Sequence, residues 1–272
     1  MSTLYLVATP IGNLEDISQR AIRVLGEVKL IAAEDTRRTR HLLTAYGIKT
    51  PLTSYYEHNK KLKLPRLLEH LEQGDVALVS DAGMPGISDP GYELVKAAIE
   101  RNIDIVPIPG PSVLPAALAV SGLPINQFIY LGFLPRKKSE RKRLLESIAK
   151  EQRTIVALEA PHRLLAVFRD IKELLGDRRL AVCRELTKVH EEVFRGTVGQ
   201  ALEHFSSPRG EFTLVIESNT TGNEMLEVTK SMREELLRMR SRGVPAKEAV
   251  SQLAAITGLP RNVLYRVWLE LP

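Results

Sequence analysis

Three short loops carry residue types suited to holding a small ligand, and each follows an apolar run. The first is Ala8-Thr9-Pro10-Ile11-Gly12-Asn13, after Leu4 to Val7. The second is Ser80-Asp81-Ala82-Gly83-Met84-Pro85-Gly86-Ile87-Ser88-Asp89-Pro90-Gly91, after Val76 to Val79. The third is Pro109-Gly110-Pro111-Ser112, after Ile103 to Ile108. Glycine lets backbone approach a ligand, proline stiffens the loop, and small side chains leave room for an adenosine or a phosphate. One such loop reads as a plain turn; three in one region, one of them long, point to binding. Absences narrow the ligand. There is no G-x-x-x-x-G-K-[ST], the first loop lacks G-x-G-x-x-G, and no G-x-S-x-G elbow occurs. His162 and His190 stand apart from further His or Cys, and the single cysteine, Cys183, cannot build a thiolate metal site. What is left is a nucleoside-type ligand held largely by backbone groups, with no metal.

The elements that must position these loops alternate. Strands are expected at Leu4 to Ala8, Lys29 to Ala33, Val76 to Ser80 and Ile103 to Ile108. Helices are expected at Ile17 to Leu25 (capped by Asp16), Thr36 to Tyr46, Lys60 to Glu72, Tyr92 to Arg101 and Ser112 to Val120. Near-continuous apolar strands separated by helices predict a parallel sheet covered on both faces. In such sheets ligands bind at the carboxyl ends of the strands, where the three loops lie. Gly122 and Pro124 interrupt the pattern. Strands resume at Phe128 to Gly132, Thr154 to Leu158, Leu180 to Cys183, Glu192 to Arg195 and Phe212 to Glu217, with helices at Glu140 to Lys150, Arg163 to Leu175 and Gly199 to Phe205. The close spacing of the third and fourth of these strands predicts a hairpin. Ser218 to Asn223 reads as a linker. Met225 to Arg240, Pro245 to Ile256 and Pro260 to Leu269 read as helices, the last two opened by prolines suited to a first turn. The predicted organisation is therefore an α/β domain over 1–121 with the ligand loops, a second α/β domain over 122–222, and a helical segment over 223–272. That segment suits a small nucleic-acid-binding module or a dimerisation appendage.

The 272 residues are 44% hydrophobic and 26% charged, enough apolar content for a real core. No positively charged start precedes an apolar stretch, and no apolar run reaches the roughly 18 residues of a membrane span, so a cytoplasmic protein with no membrane partner is expected. The net charge of +5 decides little, but its distribution matters. Arg136-Lys137-Lys138-Ser139-Glu140-Arg141-Lys142-Arg143 packs six cations into eight residues. It is either a solvated helix start or a path for a polyanion.

Seven segments in order carry a family likeness: LYLVATPIGNLED from Leu4, IAAEDTR from Ile31, SDAGMPGISDPG from Ser80, PGPS from Pro109, GFLPRKK from Gly132, APHRLL from Ala160 and RELTKVHE from Arg184. They resemble the ribosomal RNA small-subunit methyltransferase I family of the tetrapyrrole-methylase superfamily, over nearly all of residues 3–217. The resemblance implies two α/β domains of tetrapyrrole-methylase type, a cofactor cleft between them holding S-adenosylmethionine, and a short helical C-terminal tail. It also implies a homodimer and 2′-O-methylation of a cytidine ribose, cytidine 1402, in the decoding region of 16S rRNA or the small ribosomal subunit. By motif position, Pro10, Gly12, Met84, Pro85, Gly86, Ile87, Ser112, Val113, Ala160 and Pro161 are expected at the cofactor. Position 84 is often Thr and position 160 often Ser in this family; Met84 and Ala160 each lack that hydroxyl. Two rival readings are a small-molecule tetrapyrrole methylase of the same superfamily and a non-catalytic RNA-binding or ribosome-assembly protein.

Methyl transfer from a sulfonium to a hydroxyl asks the enzyme to align three atoms and to help remove a proton. Glu34, Asp35 and Arg37 follow a strand end; Arg184, Glu185 and Lys188 follow another. Lys188, its pKa lowered by Arg184, is a candidate base, with Glu185, Arg184 and Asp35 as further catalytic candidates. The alternatives are phosphate binding by Lys188 and Arg184, or a salt bridge among all of these charges. For RNA, Arg136, Lys137, Lys138, Arg141 and Arg143 come first and Arg37, with Arg38 and Arg40, second. Tyr55, Tyr56 and Phe133 are candidates to stack on a base, although a core role suits Phe133 better.

Overall fold

The computed structural model describes residues 2–219, 230–257, 259 and 261–271, the side chains of Lys230 and Asn262 aside. The chain divides into two compact units, Met1–Ser218 and Asn219–Pro272.

The first unit holds two five-stranded sheets. In one, β1 (Thr3–Val7), β2 (Leu30–Ala33), β3 (Leu52–Ser54), β4 (Val76–Val79) and β5 (Asp104–Ile108) lie in the order β3-β2-β4-β1-β5. Every pair is parallel. Alternation along each strand feeds two cores. Ile31, Ala33, Ala77 and Val79 face one side with Val24, Leu25 and Leu43. Leu30, Ala32, Val76 and Leu78 face the other with Leu67, Leu71 and Leu94. Helices α1 (Gln19–Glu27), α2 (Thr36–Ala45), α3 (Lys60–Gln73) and α4 (Tyr92–Glu100) cover these faces. The parallel sheet is as expected, with two local differences. Helix α1 is capped by Ser18, whose side chain accepts from the Ala21 N–H, while Asp16 ends a separate 3-10 turn, Leu14–Asp16. Strand β3 was not expected. Its three residues are too few to show alternation, and pairing with β2 makes it a strand.

The second sheet has β6 (Phe128–Phe133), β7 (Thr154–Glu159), β8 (Arg179–Arg184), β9 (Glu192–Thr197) and β10 (Phe212–Ile216), in the order β6-β7-β10-β8-β9. Only β6 and β7 pair in parallel; the rest are antiparallel, including the expected β8–β9 hairpin. Helices α6 (Lys138–Ser147), α7 (Pro161–Leu175) and α8 (Val198–His204) build a core on one face around Phe168, Phe205 and Leu214. The other face is covered by α5 (Val113–Ser121), which leaves the first sheet after β5. Its Ala117 and Leu118 pack on Val156, Ala181 and Val215. Helix α5 thus brings the loop ends of the first sheet against the second.

Among its described residues the second unit has three helices, α9 (Lys230–Ser241), α10 (Ala246–Thr257) and α11 (Arg261–Glu270). Leu236, Val250, Leu253, Leu264, Val267 and Trp268 form its core. The expected linker beyond Asn219, the start of the expected helix at Met225 and Pro260 lie outside the described residues. Among the described residues no helix is long and apolar enough to cross a membrane.

Candidate active site

The loops after β1, β4 and β5 meet the ends of β6, β7, β8 and β10 around a cavity of about 380 Å³. The loops are tied before they reach it. Thr9 and Gly83 exchange backbone N–H···O bonds of 2.9 Å, and Thr9 Oγ1 donates to Ser80 O at 3.1 Å. Gly83 and Gly86 take the positive φ values of 78° and 84° that turn the long loop back on itself. Ser88 Oγ and Tyr130 Oη, 2.6 Å apart, join this loop to the second sheet.

Of the expected cofactor residues, Met84, Ile87, Ser112, Val113, Ala160 and Pro161 line the cavity. Pro85 and Gly86 do not line it; they form the turn between Met84 and Ile87. Pro10 and Gly12 line a second cavity of about 260 Å³ instead. It shares Ile11, Arg38, Asp81, Ala82 and Glu211 with the first. Gly12 is there for close approach: a Cβ would lie 2.7 Å from Thr187 Oγ1 and 3.0 Å from Leu186 O.

The acids that line the cavity are not the expected catalytic candidates Asp35 and Glu185, and of them only Glu34 stands among the charged residues noted after a strand end. Glu34, Asp81, Asp89, Glu159 and Glu211 line it with one cation, Arg38; Glu159 pairs with Arg163 and Glu211 with Lys188. Arg38 Nη1 lies 3.3 Å from Asp81 Oδ2, and Asp81 Oδ1 accepts the Asp35 N–H at 2.9 Å. Burial pushes the Glu34 carboxyl above its ordinary value and nearby Asp89 adds to this, against an N–H donated by Asp81. Burial also raises Asp89, against a bond from Ser80 and with help from Asp81. A signal was present: aspartates within a loop otherwise made of Gly, Pro, Ala and Ser. Cys183 lines the cavity too, but burial pushes its thiol up to about 11, so it is no ready nucleophile.

The proposed catalytic residues scatter. Asp35 lines neither cavity; it caps α2 and binds Arg37, whose guanidinium holds its carboxyl down at about 2. Arg184 lines neither cavity either. Its guanidinium donates to Arg209 O at 2.7 Å and to Glu192 at 3.2 Å. Lys188 lines the second cavity, and its Nζ lies 3.0 Å from both Glu185 Oε1 and Glu211 Oε2. Burial works against its charge, but the two carboxylates outweigh burial and raise its pKa. The expected lowering is thus reversed, because Lys188 faces carboxylates rather than Arg184. Burial likewise pushes Glu185 up, yet the Glu211 N–H and Lys188 more than offset it, leaving it below its usual value. Glu185 and Thr187 sit at φ 50° and 68°, left-handed backbone that is strained for a β-branched threonine. Thr187 Oγ1 accepts the Asn13 N–H at 3.1 Å, so this strained loop clasps the first one.

The basic run also divides. Arg136, Lys137, Lys138 and Arg143 are exposed. Arg141 is only 5% exposed and binds Asp170 through Nε at 2.8 Å, tying α6 to α7. It is removed from the RNA path, because its guanidinium is spent inside. Arg37 is exposed beside Asp35. Tyr55 is buried, so it cannot stack on an incoming base. Phe133, expected in the core, is 60% exposed and lines the cavity three residues before the basic run.

Comparison with known proteins agrees with this layout. The family of Tetrapyrrole (Corrin/Porphyrin) Methylases matches residues 3–202, and the RsmI C-terminal HTH domain matches residues 234–272. "Ribosomal RNA small subunit methyltransferase I" of Synechocystis sp. is 50% identical, covering 100% of this chain and 99% of its own. The protein of the same name from Thermotoga maritima is 53% identical, covering 79% of this chain and 98% of its own. Among solved structures, uroporphyrin-III C-methyltransferase from Thermus thermophilus, complexed with S-adenosylhomocysteine, superposes with a TM-score of 0.58 at 18% identity. That match covers 81% of this chain and all of that one. The chain belongs to the tetrapyrrole methylase family, and within it to the ribosomal RNA small subunit methyltransferases I.

Proposed function

We propose that the chain transfers a methyl group from S-adenosylmethionine to the ribose 2′-hydroxyl of a cytidine, cytidine 1402, in the decoding region of 16S rRNA, working as a homodimer. The observation that carries this reading is a cavity lined by five carboxylates against one cation, Arg38; Glu159 and Glu211 are paired with Arg163 and Lys188 outside the lining, which leaves Glu34, Asp81 and Asp89 to face the ligand. Such a lining favours a cationic ligand and disfavours a phosphorylated one. The volume of about 380 Å³ is within the range of small-ligand pockets, and Ala82, Gly83, Ser112 and Ala160 leave space for a nucleoside. The names of relatives 50% and 53% identical support ribosomal RNA as the acceptor.

When bound, S-adenosylmethionine supplies a methyl group activated by a positive sulfur. The protein's part is position and proton. Met84, Ile87, Val113, Ala160 and Pro161 would wall the cofactor and exclude water, leaving polar contacts to loop backbone where hydroxyls are missing at 84 and 160. The acids of the cavity favour the sulfonium charge. Glu34, unpaired by any cation of its own and raised by burial, is the group suited to take the 2′-hydroxyl proton. Lys188 stays charged and holds Glu185 and Glu211 in place. Phe133 at the cavity and the exposed Arg136, Lys137, Lys138 and Arg143 beyond it offer a stacking surface and phosphate partners to the RNA.

The test is transfer of a labelled methyl group to small ribosomal subunits that lack the modification, with nuclease mapping of the product. Label on a decoding-region ribose 2′-oxygen is the expected result. No label on subunits or free rRNA, with S-adenosylhomocysteine still bound, would move the acceptor to a small molecule such as a tetrapyrrole. No cofactor affinity at all would leave a non-catalytic RNA-binding protein.

A further inference from the structure

We propose that the outward face of α11, formed by Arg261, Tyr265, Leu269 and Arg266, is a second RNA-docking surface that adds affinity for the substrate RNA and takes no part in methyl transfer. The inference rests on ribosomal RNA being the acceptor. At ~100° per residue, Arg261, Tyr265 and Leu269 fall within about 80° of one another, with Arg266 about 60° further round. Tyr265 is 46% and Leu269 67% exposed. Leu264, Val267 and Trp268, which fall on the arc that borders Arg261 on its other side, are buried in the core of the second unit. The helix is fixed at its end as well. Arg240 lies over the Trp268 ring, 5.8 Å from its centroid, and donates to Trp268 O at 3.0 Å and Leu271 O at 2.6 Å. Its inner face and carboxyl end are therefore committed, and its outer face is not.

Charge selects the partner. Residues 230–271 contain eight Lys or Arg against four Glu. Arg233 is paired with Glu270 at 3.5 Å and Arg238 with Glu235 at 3.4 Å. Arg261 and Arg266 have no carboxylate partner among the described residues. Two unpaired guanidiniums flanking an exposed tyrosine suit a polyanion with stackable bases. The deep major groove of an RNA helix excludes a helix, so the contact falls on unpaired bases and backbone: Tyr265 stacks and the arginines take phosphates. A separate role from the chemistry follows from the Thermotoga maritima relative. It matches 79% of this chain over 98% of its own length, so it lacks a stretch about as long as this unit.

The experiment compares the full chain with the Arg261→Ala/Tyr265→Ala/Arg266→Ala variant. RNA binding is measured by filter retention across salt, S-adenosylhomocysteine binding by calorimetry, and methyl transfer by KM and kcat. The expected result is at least a tenfold weaker RNA affinity, a log–log salt slope shallower by about 1.5, and a matching rise in KM. The kcat at saturating RNA and the cofactor affinity stay unchanged. Arg261→Lys/Arg266→Lys, with Tyr265 kept, should recover the slope. It carries the test if the triple variant loses its helical signal. Unchanged RNA affinity and slope overturn the proposal, and a change in oligomeric state alone would give the face to a second copy of the chain. Wild-type protein that binds rRNA with this α11 dependence yet methylates nothing would overturn the proposed function and leave this surface standing.

Discussion

A carboxylate drawn out of water keeps its proton to higher pH, and residues 34 and 35 show the contrast one position apart. Glu34 faces the cavity and is raised, chiefly by burial; Asp35 faces Arg37 and is held at about 2. Glu34→Gln should keep S-adenosylhomocysteine binding and slow methyl transfer at least tenfold, about 1.4 kcal/mol in the barrier. In the wild type only the ionised form accepts a proton. The rate should therefore fall as pH drops through the raised Glu34 value, above where an ordinary glutamate titrates, and Glu34→Gln should flatten that limb. Stability runs the other way. Because the folded pKa lies above the unfolded one, the ionised group costs stability at pH above both values and nothing below the unfolded value. Thermal melting of Glu34→Gln should thus match or exceed wild type at pH 8 and lose any advantage at pH 4. A pH–rate profile unchanged by the substitution would take Glu34 out of the proton transfer. Arg141 teaches the same lesson about neighbours. Charge alone made it one of six equivalent cations, but it sits four residues before buried Leu145, on the inner face of α6. Arg141→Ala strands Asp170 and should cost about 3–5 kcal/mol, roughly 10 °C in melting temperature. RNA affinity should be unaffected where the variant is folded, and Arg141→Met/Asp170→Leu should restore most of the stability.

At the level of elements, the first sheet was legible because its strands are short, apolar and evenly separated by helices, and the loops at their carboxyl ends announced themselves by Gly and Pro. The second sheet was legible only as a set of strands. Strand β10 enters last and inserts between β7 and β8, a pairing of residues far apart in sequence that no local pattern encodes. The site suffered the same limit. Which loops build the cavity could be read; which side chains face it could not, since that depends on how α5 lays one sheet's loops against the other. Gly12 lies at this junction, under the strained turn at Glu185 and Thr187. A side chain there must push Thr187 and Leu186 away and loosen the Asn13–Thr187 bond. Gly12→Val should weaken S-adenosylhomocysteine binding about tenfold, ~1.4 kcal/mol, with little change in circular dichroism. Calorimetry showing wild-type affinity would mean that the clasp does not set the shape of the cavity.

Across the whole molecule most exposed charge is mixed, in pairs such as Arg23–Glu27 and Arg101–Glu72, but around the cavity the signs are sorted. The cavity gathers carboxylates, while exposed arginines and lysines follow Phe133 on the outside. A sulfonium and a polyanionic RNA are thus each met by the opposite sign, and net charge, at only +5, conceals both. The outer cations differ in what they are free to do. Lys137 lies 3.0 Å from Glu140, whereas Arg136, Lys138 and Arg143 have no carboxylate partner among the described residues. Each of those three that meets a phosphate releases about 0.7–0.9 of a counterion. Replacing all three by alanine should therefore lower the log–log salt slope of RNA binding by about 2–2.7 and raise KM for subunits. Cofactor affinity should stay as it is, because the substituted positions do not line the cavity. Added salt should then close the gap between variant and wild type, as screening shortens to about 8 Å at physiological ionic strength and below that above it. If the gap persisted at high salt, the three residues would act through the packing of α6 and not through the RNA backbone. The Arg141→Ala variant, which disturbs that packing without removing an exposed cation, supplies the pattern to compare it with.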